Sequence, residues 1–66
     1  MRIIVNGQTQ EQPSAITVAQ LLAALSMEPR LVAVELNRQI VPRNRFDQTT
    51  LSQNDQLEIV TLVGGG

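Results

Sequence analysis

Cysteine, histidine, lysine, tryptophan and tyrosine are all missing from these 66 residues, and there is a single phenylalanine. Each absence removes a class of chemistry. Without cysteine or histidine there is no thiol nucleophile, no imidazole base and no customary zinc ligand. The disulfide or metal staple that often braces so short a chain is excluded with them. Without lysine there is no Schiff-base chemistry, and the α-amino group of Met1 is the only amine. One aromatic side chain, Phe46, cannot build a base-stacking platform, and a net charge of −1 leaves no electrostatic footprint for nucleic acid. No apolar run approaches the ~20 residues that cross a bilayer, and no leader pattern precedes the first strand. The expectation is a cytoplasmic protein with neither a nucleic acid nor a membrane partner.

What remains is an aliphatic core and six carboxylates, Glu11, Glu28, Glu35, Asp47, Asp55 and Glu58. The carboxylates are scattered among turns and polar strand positions. An acid–base pair needs a cleft that separates its pKa values, and a chain of this size has little room for one. A chain this short buries only about 60% of its unfolded surface. The 42% hydrophobic content is nevertheless ordinary for a folded domain. The inventory reads as a single small domain that is not an enzyme, holds no metal and binds no cofactor of its own.

Local patterns give the elements in order. Met1 to Val5 is a strand, rich in β-branched residues. Asn6-Gly7 is a strong hairpin signal because both residues accept positive φ. Gln8 to Gln12 then returns as a polar strand, suited to a sheet edge because Pro13 follows. Thr17 and Gln20 have the spacing of a capping box, with Ile16 and Leu21 placed as a hydrophobic staple. Val18, Leu21, Leu22 and Leu25 form one apolar stripe, which predicts a helix of about ten residues ended ahead of Pro29. Leu31 to Leu36 is a strand, Asn37-Arg38 a tight turn, and Gln39 to Val41 a short strand stopped by Pro42. Arg43 to Gln53 has no period and reads as a turn or 3₁₀ piece with Phe46 and Leu51 inward. Asn54-Asp55 is a turn, and Leu57 to Leu62 is the last strand.

The fold class is therefore α+β, a mixed sheet in the order β-β-α-β-β-β packed on one helix, with residues 1–63 as the domain and 64–66 as a glycine tail. One helix covers one sheet face. The first and last strands, both strongly apolar, are expected side by side at the centre. Met1, Ile3, Val5, Val32, Val34, Leu36, Leu57 and Ile59 would face the helix. Arg2, Ile4, Glu58, Val60 and Leu62 would face away, making Ile4, Val60 and Leu62 a candidate docking patch. Arg38, Arg43 and Arg45 gather around the short strand as a candidate contact for an acidic surface, or simply as a solvated face. Gly64, Gly65 and Gly66 lack Cβ atoms and could thread a narrow channel, projecting a carboxylate about 10 Å. A frayed end is the alternative for any terminus.

Taken together, Asn6-Gly7, Thr17-Val18-Ala19-Gln20-Leu21-Leu22, Val32-Ala33-Val34-Glu35-Leu36-Asn37, Ile40-Val41-Pro42-Arg43 and the final glycines resemble the ThiS sulfur carriers of thiamin biosynthesis. Those carriers have the ubiquitin-like β-grasp fold. The resemblance spans nearly the whole chain. Two positions depart from the pattern: the third glycine, which makes Gly64 an extension of the usual Gly-Gly ending, and Asn54, where glycine is common.

The resemblance implies a carrier whose terminal carboxylate, on Gly66, is adenylated by a ThiF-like enzyme that consumes ATP. A cysteine-derived persulfide on another protein would then convert it to a thiocarboxylate, which passes sulfur to a ThiG-like thiazole synthase. Gly64 and Gly65 would thread the partner's active site. Other readings stay open here: a carrier for another pathway, such as the MoaD-like carrier of molybdopterin synthesis, a ubiquitin-like modifier attached to lysines of other proteins, or a small β-grasp binding module that needs no tail.

Overall fold

Asn6 (φ 51°) and Gly7 (φ 81°) both adopt the left-handed backbone that a two-residue type I′ turn requires. In the computed structural model, which describes residues 1–62, this turn joins β1 (Arg2–Val5) to β2 (Gln8–Glu11). The two strands are antiparallel, with Arg2 opposite Glu11 and Val5 opposite Gln8. The expected glycine tail, Gly64 to Gly66, and the domain boundary at residue 63 lie outside the described residues.

The helix α1 (Val18–Ala24) starts as its sequence dictates. The Gln20 backbone N–H donates to Thr17 Oγ1 at 3.1 Å, and the Thr17 N–H donates to Gln20 Oε1 at 2.9 Å. Two more N-terminal donors that the helix itself leaves unpaired are met by an irregular segment: Val18 N–H bonds Thr49 O and Ala19 N–H bonds Phe46 O, both at 2.9 Å. Phe46 and Leu51 of that segment are buried, as their sequence context predicts.

The far end of α1 corrects the expectation of a ten-residue helix ended by Pro29. The helix has seven residues, and Leu25 is its cap. Ser26 turns left-handed (φ 59°). Its N–H bonds Ala23 O at 3.0 Å while the Met27 N–H reaches back to Leu22 O at 2.8 Å, the paired closure of a Schellman motif. Hydrogen bonding thus stops the helix three residues before the proline. Pro29 instead opens a 3₁₀ turn (Pro29–Leu31), where its fixed φ suits the first position. The next strand accordingly begins at Val32, and not at Leu31.

β3 (Val32–Leu36) and β4 (Gln39–Val41) are joined by Asn37 and Arg38, at φ 51° and 72°. A 3₁₀ turn (Arg43–Arg45) follows, and β5 (Gln56–Thr61) closes the fold. The sheet order is β2-β1-β5-β3-β4. β5 pairs parallel with β1 and antiparallel with β3. Polar β2 lies at an edge, as expected, and the first and last strands are neighbours. Ile3, Val5, Val32, Val34, Leu57 and Ile59 are buried in one cluster with Val18, Leu21 and Leu22, while Met1 and Leu36 pack against its rim.

The β1–β5 ladder outlasts β1 itself. Asn6 has already turned away, yet its Oδ1 accepts the Ile59 N–H at 2.7 Å and its Nδ2 donates to Ile59 O at 3.2 Å. The carboxamide stands where the next peptide of a longer β1 would be.

Ser26 is a non-glycine residue in the left-handed position that closes a helix. Ser26→Gly is expected to stabilise the domain by about 0.5–1 kcal/mol, because glycine accepts the left-handed cap without a Cβ penalty. A rise in the denaturant midpoint at constant slope would show this, and an unchanged or lower midpoint would refute it.

Candidate functional site

β5 leaves the sheet from its middle, and the residues around that exit are held from several sides. The Leu62 N–H donates to Leu31 O at 2.7 Å, carrying the β3–β5 ladder one step past the strand. Leu31 in turn closes the Pro29–Leu31 turn, whose carbonyls are gripped by Arg43. Its Nε donates to Pro29 O at 3.2 Å and its Nη2 to Arg30 O at 3.3 Å. One guanidinium therefore ties the turn after β4 to the turn before β3, and so fixes the backbone that carries Leu62.

The antiparallel register sets Ala33 opposite Val60. Two residues further, past the Val32–Thr61 pair, it sets Leu31 opposite Leu62. Leu31, Val60 and Leu62 are 49%, 57% and 47% exposed on the face that α1 does not cover. With half-buried Ala33 they make a compact aliphatic patch at the root of the tail. Leu31 was missed from sequence because it was read only as the start of a strand. It shares its alternation with Ala33 and Glu35, and that parity was the available signal.

Ile4 does not join this patch. It lies opposite Gln56 on β5 and opposite Thr9 on β2. Val60 is four residues further along β5, or about 13 Å at the usual rise of a strand. Adjacent strands do not put equivalent residues side by side when their register is staggered. Of the three expected patch residues, then, Val60 and Leu62 come together and Ile4 stands apart.

The three arginines are likewise divided. Arg43 serves as the brace just described, and Arg45 leans on Gln48, with Nη1 to Oε1 at 3.4 Å. Arg38 sits at the opposite end of β4, where it lines a groove of about 400 Å³ with Glu35, Asn37, Gln56 and Glu58. There Glu35 and Glu58 are direct cross-strand partners. A second hollow, of about 260 Å³, lies along β4 and is lined by Val41, Pro42, Arg45 and Thr49 among others. Neither hollow touches Leu62.

Among the described residues, no group of acidic side chains is placed to hold a metal ion, and no helix is long and apolar enough to cross a membrane. Among the described residues, the large side chains exposed on this face at the exit of β5, Leu31, Val60 and Leu62, are all aliphatic. Such a surface can hold a partner in register while presenting the chain that follows Leu62.

Comparison with known proteins gives this arrangement a family. The model described as "ThiS family" matches residues 3–66. The chain belongs to the ThiS family. It is 32% identical to the sulfur carrier protein ThiS of Escherichia coli over 66 residues, covering all of both chains. It is also 40% identical to the sulfur carrier protein ThiS of Bacillus subtilis over 50 residues, 76% of each. The crystal structure of the thiamine biosynthesis protein ThiS from Geobacter metallireducens superposes with a TM-score of 0.87, at 35% identity over the whole of both chains. The fold is the ThiS β-grasp, as the resemblance implied. A thiazole synthase of Paramagnetospirillum magneticum is 39% identical over 66 residues, all of this chain but 20% of that protein. A thiazole synthase of Magnetococcus marinus shows the same 20% share. The chain thus spans about a fifth of the length of these two relatives.

The Glu35–Glu58 pair yields a prediction of its own. Like charges directly opposite on a sheet face are destabilising, so Glu58→Gln should raise stability by about 0.5 kcal/mol at low salt. The gain should shrink as ionic strength rises and screens the repulsion. Thermal melts of both proteins at two salt concentrations would decide, and a salt-independent difference would contradict the electrostatic account.

Proposed function

We propose that this ThiS-family chain is a sulfur carrier for thiazole formation in thiamin biosynthesis, a protein cosubstrate and not an enzyme. The observation that carries the reading is its full-length similarity to a sulfur carrier protein ThiS and to a thiamine biosynthesis protein ThiS. The geometry is in keeping with it: a rigid aliphatic platform, free of catalytic groups, lies at the root of a glycine tail.

In this proposal the Gly66 carboxylate is the reacting group. A carboxylate is a poor electrophile, because its charge is delocalised and oxide is a very poor leaving group. One carboxylate oxygen attacks the α-phosphorus of ATP on a ThiF-like enzyme, pyrophosphate leaves, and an acyl-adenylate forms. The outer sulfur of a persulfide on a donor protein attacks the acyl carbon and AMP departs. A thiol then cleaves the sulfur–sulfur bond, leaving the Gly66 thiocarboxylate. A ThiG-like thiazole synthase takes sulfur from it. The two thiazole synthases in which a similar domain makes up a fifth of the chain support that choice of acceptor. Gly64 and Gly65 thread the partner's channel, and no cofactor resides on the carrier. Its use of ATP and a thiol reductant fits a cytoplasmic setting.

Incubation with ATP, the activating enzyme and a sulfur source is expected to add the mass of one oxygen-to-sulfur replacement. The chain lacking Gly66 should gain nothing. Stable adducts on lysines of other proteins would assign the chain to the ubiquitin-like modifiers instead. Restoring molybdopterin synthesis but not thiazole synthesis in deficient cells would assign it to the MoaD-like pathway.

The docking patch proposed for the partner is Leu31, Val60 and Leu62. Leu62→Glu is expected to keep the fold, since the side chain is about half exposed, yet to weaken binding to the activating enzyme tenfold or more, roughly 1.4 kcal/mol. Ile4→Glu, outside the patch, should leave affinity within about twofold. Titration calorimetry with circular dichroism as the folding control checks both, and equal losses from the two variants would remove the distinction.

A further inference from the structure

An activated acyl group is attacked by any amine that can reach it. The amine nitrogen bonds to the acyl carbon, the leaving group departs with its electron pair, and the amine gives up a proton. A carrier of this kind is therefore at risk from its own side chains. Here the sequence contains no lysine, and it has no cysteine or histidine to act as an intermediate acceptor.

The remaining amine in this sequence is the α-amino group of Met1, and the fold sets it far from Leu62. Parallel pairing sets Ile4 level with Gln56. Met1 lies three residues back from Ile4, and Leu62 lies six residues on from Gln56, in the opposite direction. Nine strand steps separate the two ends by roughly 30 Å. The four residues after Leu62 span at most about 14 Å even when fully extended. The Met1 amine is also occupied, donating to Gln12 O at 2.9 Å and lying 3.5 Å from Glu11 Oε1.

We infer that the chain is inert toward its own activated end, both within one molecule and between copies, because it presents no competent amine. The inference rests on the proposed activation at Gly66 but goes beyond it. It means that self-conjugation and chain building are closed to this protein. An acyl group activated on Gly66 then waits for water, for a sulfur nucleophile or for a different protein.

The test does not depend on the activating enzyme or on sulfur transfer. The chain is prepared as a Gly66 thioester by thiol cleavage of an intein fusion and held at neutral pH and high concentration, with intact mass and denaturing gels as readouts. The wild-type thioester is expected to be lost only by hydrolysis, with no cyclic or dimeric product. Added free lysine should consume it by forming the amide, showing that the acyl group itself is accessible.

Arg30→Lys places an amine next to Leu31, the hydrogen-bond partner of Leu62, and the Arg30 side chain is exposed, 3.9 Å from Glu28, while its backbone carbonyl keeps the bond from Arg43. This variant should cyclise, losing its thioester at least about tenfold faster than wild type at any dilution, because the amine is now intramolecular. Wild-type self-acylation at Met1 would overturn the inference. So would an Arg30→Lys thioester as durable as the wild type, or one that resists free lysine, since burial and not the lack of amines would then be the protection. An inert thioester in a chain that never accepts sulfur would leave the inference standing and sink the carrier reading alone.

Discussion

Backbone hydrogen bonds from β5 run to β3 on one side and to β1 on the other, so the last strand joins the hairpin β1–β2 to the hairpin β3–β4. Neither hairpin would be stable by itself, because two strands in water lack the third neighbour and the hydrophobic face they need. Only when β5 is seated do Leu57 and Ile59 close the core between Ile3 and Val5 on one side and Val32 and Val34 on the other. α1 covers the same face, with Val18, Leu21 and Leu22 in the one cluster. The contacts that unite the fold span most of the chain, as in the pairing of Val5 with Leu57.

The same central position governs the site. A strand at the edge of a sheet would release its end beside exposed, unpaired peptide groups. β5 releases its end from between neighbours, with Leu62 still bonded to Leu31 O. The direction of the chain at residue 62 is therefore set by the sheet as a whole, with Arg43 holding the turn on which Leu31 sits. Because one helix suffices for one face, the other face is left to display Leu31, Val60 and Leu62 close to that exit. Fold and surface follow from one asymmetry: two faces and a single covering element.

Much of this was legible in the sequence because it rests on local chemistry. Asn6-Gly7 permits one turn type, Thr17 and Gln20 satisfy each other's backbone, and alternation along β1, β3 and β5 assigns each residue to a face. What escaped depends on geometry between elements. The stagger of β5 against β1 is not written in either strand, so Ile4 was grouped with residues about 13 Å away. Serine carries no strong left-handed preference, so the Schellman closure at Ser26 could not be read ahead of the more conspicuous Pro29. Leu31 hid at a boundary, counted as strand when it ends a 3₁₀ turn. Val60 and Leu62 share the uncovered face as their alternation implied, Leu31 joins them from outside the expected set, and Arg43, grouped from sequence with Arg38 and Arg45, braces the turn before β3.

Asn6 carries one more meaning. An asparagine followed by glycine is the dipeptide most given to spontaneous deamidation, because the unhindered glycine nitrogen can close a five-membered imide on the side-chain carbonyl. In this fold the Asn6 carboxamide is committed to both backbone groups of Ile59, and to turn toward Gly7 it would have to abandon the ladder. Chemical ageing at this position is thereby coupled to unfolding. A molecule that did deamidate would replace its Nδ2 donor with a carboxylate oxygen facing the Ile59 carbonyl, so the damage would loosen the central strand itself.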